Sequence, residues 1–244
     1  SSFRKYTNWC RSTELALFAA VPRLAIRYKI PLILWGENPG LQLGDLKTLG
    51  KTGYDGNNLR NMNTLQGGDI TWLIGNEIKK HQLLQYSYPS EKEIEDANIK
   101  ITFLGYYWKD WSLVDNGNFS TLRGLDIRNE KPWEIGDPLG ITSLDEDWVT
   151  LNQMIKYLKY GFGRISDYVN EDVRLGRITR EEGILMNEKY DGKCSEKYIK
   201  SFSEYIGITV KEFWMQVDKS VNTDLFIKHG LGKYEPKFKV GFGI

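Results

Sequence analysis

The feature that most limits which folds this chain can adopt is a short apolar segment that follows a helical pattern. Apolar residues between Thr13 and Tyr28 recur at the spacing of one helix face, with Pro22 expected to kink or divide the helix. Leu32–Trp35 is then continuously apolar and ends at Gly36. Such a segment is typical of a strand buried on both faces, and strands of this kind belong mostly to parallel sheets covered by helices. The sequence therefore predicts an α/β fold.

The end of this strand is the first candidate site, because ligands of open α/β sheets bind at the carboxyl ends of strands. Trp35-Gly36-Glu37-Asn38 lies there, and its carboxylate and amide suit Mg²⁺ or a nucleotide ribose. A plain strand-to-loop turn is the alternative. Residues 98–107 predict a second buried strand after a short helix at Ser90–Ala97, so both strands are expected to end at the same sheet edge. Residues 69–84 predict a further helix with Asp69 as its N-cap.

Beyond Pro132 the pattern changes to helices. Three capping boxes mark helix starts, at Ser143 with Glu146, Thr179 with Glu182 and Thr209 with Glu212. Glycines follow several of the predicted helices, as expected of helix C-termini. The predicted helices are 143–160, 164–175, 179–190, 195–206 and 209–220. We therefore expect an α/β domain over residues 1–131 and an all-helical region over 132–244.

Charge and cysteine content narrow the function. The 33 basic and 32 acidic residues give a formal net charge of +1, so we expect no nucleic-acid partner. The longest apolar run, Leu15–Val21, is too short to cross a bilayer. Cys10 and Cys194 are far apart, and His81 and His229 are the only histidines, so neither a disulfide framework nor a metal site is expected. These features predict a cytoplasmic protein with reduced thiols.

A glycine-flanked basic segment is the second candidate site. Gly161 and Gly163 stand beside Arg164 at the start of a predicted helix, with Lys159 and Arg180 nearby. A loop of this kind can hold phosphate through backbone N–H groups and charged side chains. The alternation of these cations with acidic residues also fits a solvated helix face laced with ion pairs.

Several segments resemble the N-acetyl sugar amidotransferase family, whose members are PP-loop enzymes of pseudaminic acid and lipopolysaccharide O-antigen biosynthesis. The segments are IPLILWGEN from Ile30, ANIKITFLGYYWKDW from Ala97 and YLKYGFGRISDYVNEDVRLGRITREEG over Tyr157–Gly183, with KYDGK and GITVKEFW further on. The third is the longest and most specific.

The resemblance implies a PP-loop domain, similar to adenine nucleotide α-hydrolases, with a partial parallel sheet followed by the helical region. It also implies ATP and Mg²⁺, which serve to adenylate an acetamido group of a sugar nucleotide before ammonia adds to it. A separate glutaminase–synthase pair would supply the ammonia. Glu37 and Asn38 are then expected to be catalytic, and Trp35 and Gly36 to bind nucleotide. The expected substrate-binding residues are Lys159, Gly161, Gly163, Arg164 and Arg180.

Two departures accompany this resemblance. The family's pyrophosphate loop and first strand are expected before Ser1, and of the family's cysteine pairs only Cys10 is present. We therefore expect the chain to be part of a longer protein. Two other interpretations stay open: another PP-loop enzyme, such as a tRNA-thiolating ATPase, and a non-catalytic interaction module.

Overall fold

The computed structural model describes residues 2–36, 56–61, 65–75, 78–108 and 112–242. The chain divides into two compact units, unit 1 (residues 1–111) and unit 2 (residues 112–244). Residues 112–131 therefore lie in the same unit as the helices beyond Pro132. The predicted domain boundary between residues 131 and 132 stays a prediction, since compactness alone does not define a domain.

Unit 1 begins with two helices, α1 (Ser2–Tyr6) and α2 (Cys10–Tyr28). Helix α2 is one element with Pro22 in its interior, so it is not divided there. Lys29 ends it in the left-handed conformation, and the next N–H, of Ile30, donates to the carbonyl of Ala25 at 2.9 Å. This reversal leads the chain directly into the first strand.

The sheet of unit 1 consists of β1 (Leu32–Trp35) and β2 (Lys100–Phe103), which pair in parallel. Trp35 is level with Phe103, which confirms that the two strands end at the same edge. The expectation of a strand buried on both faces is wrong for β1. Ile33 is buried in the core of unit 1, whereas Leu32 and Leu34 are about half exposed (48% and 56%), because only the Ile33 face packs against that core.

The remaining elements of unit 1 are short. Helix α3 (Glu91–Asp96) starts at a capping box formed by Ser90 and Glu93, as expected, and α4 (Leu104–Tyr107) follows β2 directly. The predicted strand 98–107 is thus four residues long. The predicted helix 69–84 is wrong: this stretch holds separate 3₁₀ turns at Thr71–Leu73 and Lys80–Tyr86.

The prediction that Asp69 caps a helix is also wrong. Its carboxylate accepts bonds from the backbone and hydroxyl of Thr71, two residues further on. A side chain that bonds so locally stabilises a turn, which competes with helix formation.

Unit 2 is mainly helical. Its helices are α5 (Leu113–Thr121), α6 (Pro132–Ile135), α7 (Val149–Tyr160), α8 (Arg164–Arg174), α9 (Arg180–Tyr190), α10 (Glu196–Tyr205) and α11 (Val210–Asp218). The capping boxes at Thr179 and Thr209 are confirmed. The one at Ser143 is wrong, since Ser143 has a positive φ of 49° and Glu146 instead accepts a bond from the N–H of Trp148. Helix α7 consequently begins at Val149.

A hairpin corrects the expectation of an all-helical region after Pro132. Strands β3 (Phe226–Gly230) and β4 (Lys233–Pro236) pair antiparallel, and Phe226 at the start of β3 is buried. None of the helices in the described ranges combines the length and the hydropathy that a bilayer crossing requires.

Gly192, just after α9, illustrates how tightly unit 2 is packed. Its φ is +71°, and a Cβ atom there would lie 2.3 Å from the ring of Tyr157. We expect Gly192→Ala to lower the free energy of unfolding by about 2–4 kcal/mol, because left-handed strain and overpacking add. Urea denaturation followed by circular dichroism measures this loss.

The matched control is Gly207→Ala. Gly207 has nearly the same φ, +68°, but a Cβ atom would meet nothing within 4 Å. Gly207→Ala should therefore lower the free energy of unfolding only by the left-handed strain, about 1–2 kcal/mol. Equal losses for the two variants would contradict the close packing of Gly192 on Tyr157.

Candidate functional site

The glycine-flanked segment of the sequence forms the junction between α7 and α8. Gly161 ends α7 with a φ of +80°, and its N–H donates to the carbonyl of Tyr157 at 2.7 Å. Gly163 immediately precedes α8 and is buried. The junction therefore presents the first backbone N–H groups of α8, which is the feature that the sequence suggested as an anion site.

A carboxylate of the protein itself occupies this helix start. Asp191, which follows α9, accepts hydrogen bonds from the N–H of Gly163 at 2.8 Å and from the N–H of Ile165 at 3.3 Å. The hydroxyl of Ser166 lies 2.9 Å from the same carboxylate. Negative charge is favourable at a helix N-terminus, where backbone N–H groups have no partner within the helix. Asp191 thus accepts the hydrogen bonds that an N-cap side chain would normally accept, although it lies far from α8 in the sequence.

The glycine at position 163 is explained by this contact. A Cβ atom there would lie 2.4 Å from Oδ1 of Asp191, so a larger residue would push the carboxylate away. Burial raises the pKa of Asp191, while the hydrogen bonds from Gly163, Ser166 and Ile165 act in the opposite direction. The N–H groups of Gly163 and Ile165 are engaged within the protein, so a substrate anion at this junction would be held mainly by side chains.

A cavity of about 290 Å³ lies next to the junction, and we call it the α7–α9 cavity. Its wall contains the aromatic side chains of Tyr157, Tyr160 and Phe238, and its polar lining comes from Ser166, Asn187 and Asp191. The remaining lining residues are Gly161, Leu225, Lys239, Val240 and Gly241. The cavity therefore offers both an aromatic surface and hydrogen-bonding groups.

The structure places one of the predicted substrate-binding residues in the wall of this cavity and links a second to that wall. Gly161 lines it directly, and a Cβ atom there would approach Leu225 and Phe238 to 3.2 and 3.4 Å. The guanidinium of Arg180 donates to the carbonyl of Gly241, another lining residue. Both residues are thus linked to one cavity, although they are 19 positions apart in sequence.

Arg164 lies elsewhere. It lines a second, much smaller cavity of about 20 Å³, together with Gln153 and Asp137. Within the part of the chain that the structure describes, Nε of Arg164 and Oε1 of Gln153 are buried without hydrogen-bond partners. Lys159 is half-buried, and burial lowers its pKa. The five predicted substrate-binding residues therefore do not converge on one point, and their role stays a prediction.

The predicted nucleotide-binding and catalytic residues belong to unit 1. The indole of Trp35 packs on the ring of Phe18, with centroids 5.2 Å apart, and Gly36 follows the end of β1. Glu37 and Asn38 lie outside the described residues. Their assignment stays a prediction.

Sequence reasoning missed Asp191, Ser166, Asn187, Tyr157 and Phe238 as members of a site. Membership of a segment that resembles the family was a sequence signal for three of them: Asp191 lies in KYDGK at the end of α9, and Tyr157 and Ser166 lie in Tyr157–Gly183. Asn187 and Phe238 are ordinary helix and loop residues whose proximity depends on tertiary packing. Within the described ranges, no three His, Cys, Asp or Glu residues form a group that could hold a metal ion.

The cap made by Asp191 can be tested with Asp191→Asn. The amide retains one acceptor oxygen and places an NH₂ group against a backbone N–H, so we expect a loss of about 1–3 kcal/mol in unfolding free energy. Hydrogen exchange at the amides of Gly163 and Ile165 should accelerate at the same time. Asp126→Asn, at an exposed position of unit 2, is the control and should change stability by less than about 0.5 kcal/mol. Unchanged exchange at both amides would contradict the cap.

Comparison with known proteins gives one family for unit 2. No curated protein matches the chain. Residues 140–238 match the family described as LPS biosynthesis protein WbpG-like, C-terminal domain. The matched range includes the α7–α8 junction, Asp191 and most of the residues that line the α7–α9 cavity. Residues 140–238 of this chain are thus similar to the C-terminal domain of WbpG-like lipopolysaccharide biosynthesis proteins.

Proposed function

We propose that the protein containing this domain is an ATP-dependent amidotransferase of lipopolysaccharide biosynthesis. It would convert an acetamido group of a nucleotide-linked sugar into an acetamidino group, with ammonia as the nitrogen donor. The observation that carries the proposal is the family match over residues 140–238. The segment Tyr157–Gly183, which most resembles the N-acetyl sugar amidotransferases, lies entirely within that match.

The proposed reaction has two steps. The acetamido oxygen attacks the α-phosphorus of ATP, which releases pyrophosphate and leaves the oxygen bonded to AMP. Ammonia then adds to the acetamido carbon, the bond from that carbon to the AMP-bearing oxygen breaks, and a proton is lost. The products are the acetamidino sugar, AMP and pyrophosphate. Adenylation is needed because an amide oxygen is a poor leaving group, whereas AMP is a good one.

The two units are assigned different parts of this chemistry. In unit 1, Trp35 and Gly36 are proposed to bind the nucleotide at the carboxyl end of β1, with Glu37 and Asn38 acting on the reacting groups. In unit 2, the substrate is proposed to contact the segment around Lys159, Gly161, Gly163 and Arg164, together with Arg180. Support for the unit 2 assignment comes from the α7–α9 cavity, which Gly161 lines.

We propose that Mg²⁺ binds together with ATP. Phosphate oxygens together with one or two carboxylates are its usual ligands, and Glu37 is the carboxylate proposed here. No step of the reaction is assigned to the metal.

The ammonia is proposed to come from a separate protein. A glutaminase needs a thiolate nucleophile activated by a nearby base. Burial raises the pKa of Cys194 to about 12, which keeps it as a thiol at neutral pH, and its sulfur lies 3.7 Å from the hydroxyl of Thr150. Cys194 is thus a poor candidate for this nucleophile, and the proposal assigns the delivery of ammonia to a separate glutaminase–synthase pair.

The role of Arg164 can be separated from a structural one. Because its Nε has no partner within the described residues, we expect Arg164→Ala in the full-length protein to lower kcat/KM about tenfold or more. The melting temperature should change little. The cavity beside Arg164 has room for about one water, so we expect any contact with substrate to run through a water or to require widening of the cavity.

The matched control is Arg174→Ala, at the other end of α8. Arg174 is exposed, and its Nε donates to the carbonyl of Asn170 within the same helix. Its removal should leave turnover unchanged. A lowered melting temperature with unchanged kinetics in Arg164→Ala would assign Arg164 to the fold.

The reaction itself is tested with the full-length protein, an N-acetylated nucleotide sugar, ATP and Mg²⁺. We expect AMP and an acetamidino product when ammonium is abundant, because free ammonia is scarce at neutral pH. Glutamine should replace ammonium only when the partner pair is added. Glutamine-driven turnover by the protein alone would contradict the proposed supply of ammonia by a separate pair, and a lack of AMP under every condition would contradict the proposed function.

A further inference from the structure

We propose that the α7–α9 cavity binds the pyranose ring of an N-acetylated sugar, with its nucleotide outside the cavity. One face of the ring would lie against the aromatic wall and its hydroxyl groups against the polar lining. The inference that the sugar carries an acetamido group rests on the proposed function. The inference that a sugar ring binds here, at what we call the ring site, rests on the cavity itself.

The aromatic wall is held rigidly by its own packing. The rings of Tyr157 and Phe238 are 6.2 Å apart, and both pack edge-on against Phe226, at 5.3 and 5.6 Å. Phe226 is 1% exposed and anchors this group. Tyr160, by contrast, is 62% exposed and lies on the solvent side of the cavity. A fixed aromatic surface that is open to solvent on one side suits a ligand that stacks on it and later dissociates.

The segment after β4 closes one side of the cavity and is fastened at two points. The N–H of Lys237 donates to the carbonyl of Leu225 at 2.8 Å, and Arg180 donates to the carbonyl of Gly241. Gly241 has a φ of +80°, and a Cβ atom there would come within 2.6 Å of Ile184. This wall is therefore pre-formed, which lowers the entropy cost of binding.

The polar lining can bond hydroxyl groups without demanding a charge. The carboxylate of Asp191 is engaged at the start of α8, but the hydroxyl of Ser166 donates only one proton and keeps acceptor capacity. Burial and the charge of Asp191 raise the pKa of Tyr157 to about 12, so its phenol is a neutral donor at pH 7. A hydroxyl group, a neutral phenol and a carboxylate beside aromatic faces match a sugar better than they match a phosphate.

The size of the cavity selects one part of the substrate. Pockets that enclose drug-sized ligands begin at about 300 Å³, so 290 Å³ suits a single sugar ring with its acetamido group. A whole nucleotide sugar is too large to enter. Lys239 lines the cavity and is exposed, so its ammonium group can meet the sugar's phosphate in solvent.

Binding can be measured on the chain without ATP or ammonia, so its outcome is independent of turnover. The probes are N-acetylglucosamine, glucose, UDP-N-acetylglucosamine and UDP, each examined by saturation-transfer difference NMR and titration. We expect N-acetylglucosamine to receive saturation at its ring and methyl protons, and glucose to bind more weakly. UDP-N-acetylglucosamine should bind more tightly than the free sugar.

Tyr160→Ala is the main variant, since Tyr160 is exposed and its loss should leave the fold intact. We expect it to weaken N-acetylglucosamine binding about fivefold. Tyr205→Ala is the matched control, because Tyr205 is also the last residue of a helix and is 75% exposed, yet it does not line the cavity. Ser166→Ala should weaken binding about three- to tenfold.

Three results would overturn the proposal. The first is no saturation transfer to the sugar, and the second is an equal loss of sugar affinity in Tyr160→Ala and Tyr205→Ala. The third is that Tyr160→Ala weakens the binding of UDP but not the binding of the sugar. The last would make the cavity a nucleotide site. Equal binding of glucose and N-acetylglucosamine would overturn the acetamido part. The ring site and the proposed function can also fail separately. If the sugar binds in a Tyr160-dependent way but the protein has no amidotransferase activity, the ring site is supported and the proposed function is contradicted.

Discussion

The carboxylate of Asp191 at the start of α8 is the contact on which the candidate site depends. Through it, the residue that follows α9 is tied to the junction between α7 and α8, by bonds to Gly163, Ile165 and Ser166. Gly192, the next residue, packs directly on Tyr157 in α7. Three helices are thereby fixed around one buried charge, and the α7–α9 cavity lies beside it. Removing that charge would disturb the helix start and the cavity together.

The same contact changes the meaning of the Gly-Phe-Gly-Arg segment. A glycine-rich loop before a helix suggests a phosphate site, because its N–H groups lack partners within the helix. Here two of those N–H groups are satisfied by Asp191, and Gly163 is a glycine because the carboxylate lies so close. Ligand recognition in unit 2 is therefore better sought in the side chains that surround the α7–α9 cavity than in the backbone of the junction.

The family match over residues 140–238 and the geometry of the α7–α9 cavity support the proposed function independently. Residues 140–238 match a family described as lipopolysaccharide biosynthesis proteins. The cavity independently combines aromatic faces with hydroxyl, amide and carboxylate groups, an arrangement that suits a sugar. Unit 1 contributes the parallel pair β1 and β2, whose common edge is where an α/β fold binds its ligands.

The sequence by itself determined the features that depend on neighbouring residues. Helix starts with complete capping boxes at Thr179 and Thr209 were predictable, because a cap is a contact across three residues. The strand at Leu32–Trp35 and its common edge with β2 followed from apolar runs. The box at Ser143 failed because a positive φ there turns the chain away from a helix.

Only the tertiary structure decided which distant residues meet. Asp191 reaches Gly163 across 28 positions, and Phe238 reaches Tyr157 across 81, and nothing in the local pattern of either residue specifies its partner. The predicted substrate-binding residues were likewise separated, with Gly161 at the larger cavity and Arg164 at the smaller. The physical reason is that helix caps and strand patterns are encoded locally, whereas a cavity is set by how buried side chains from separate helices pack.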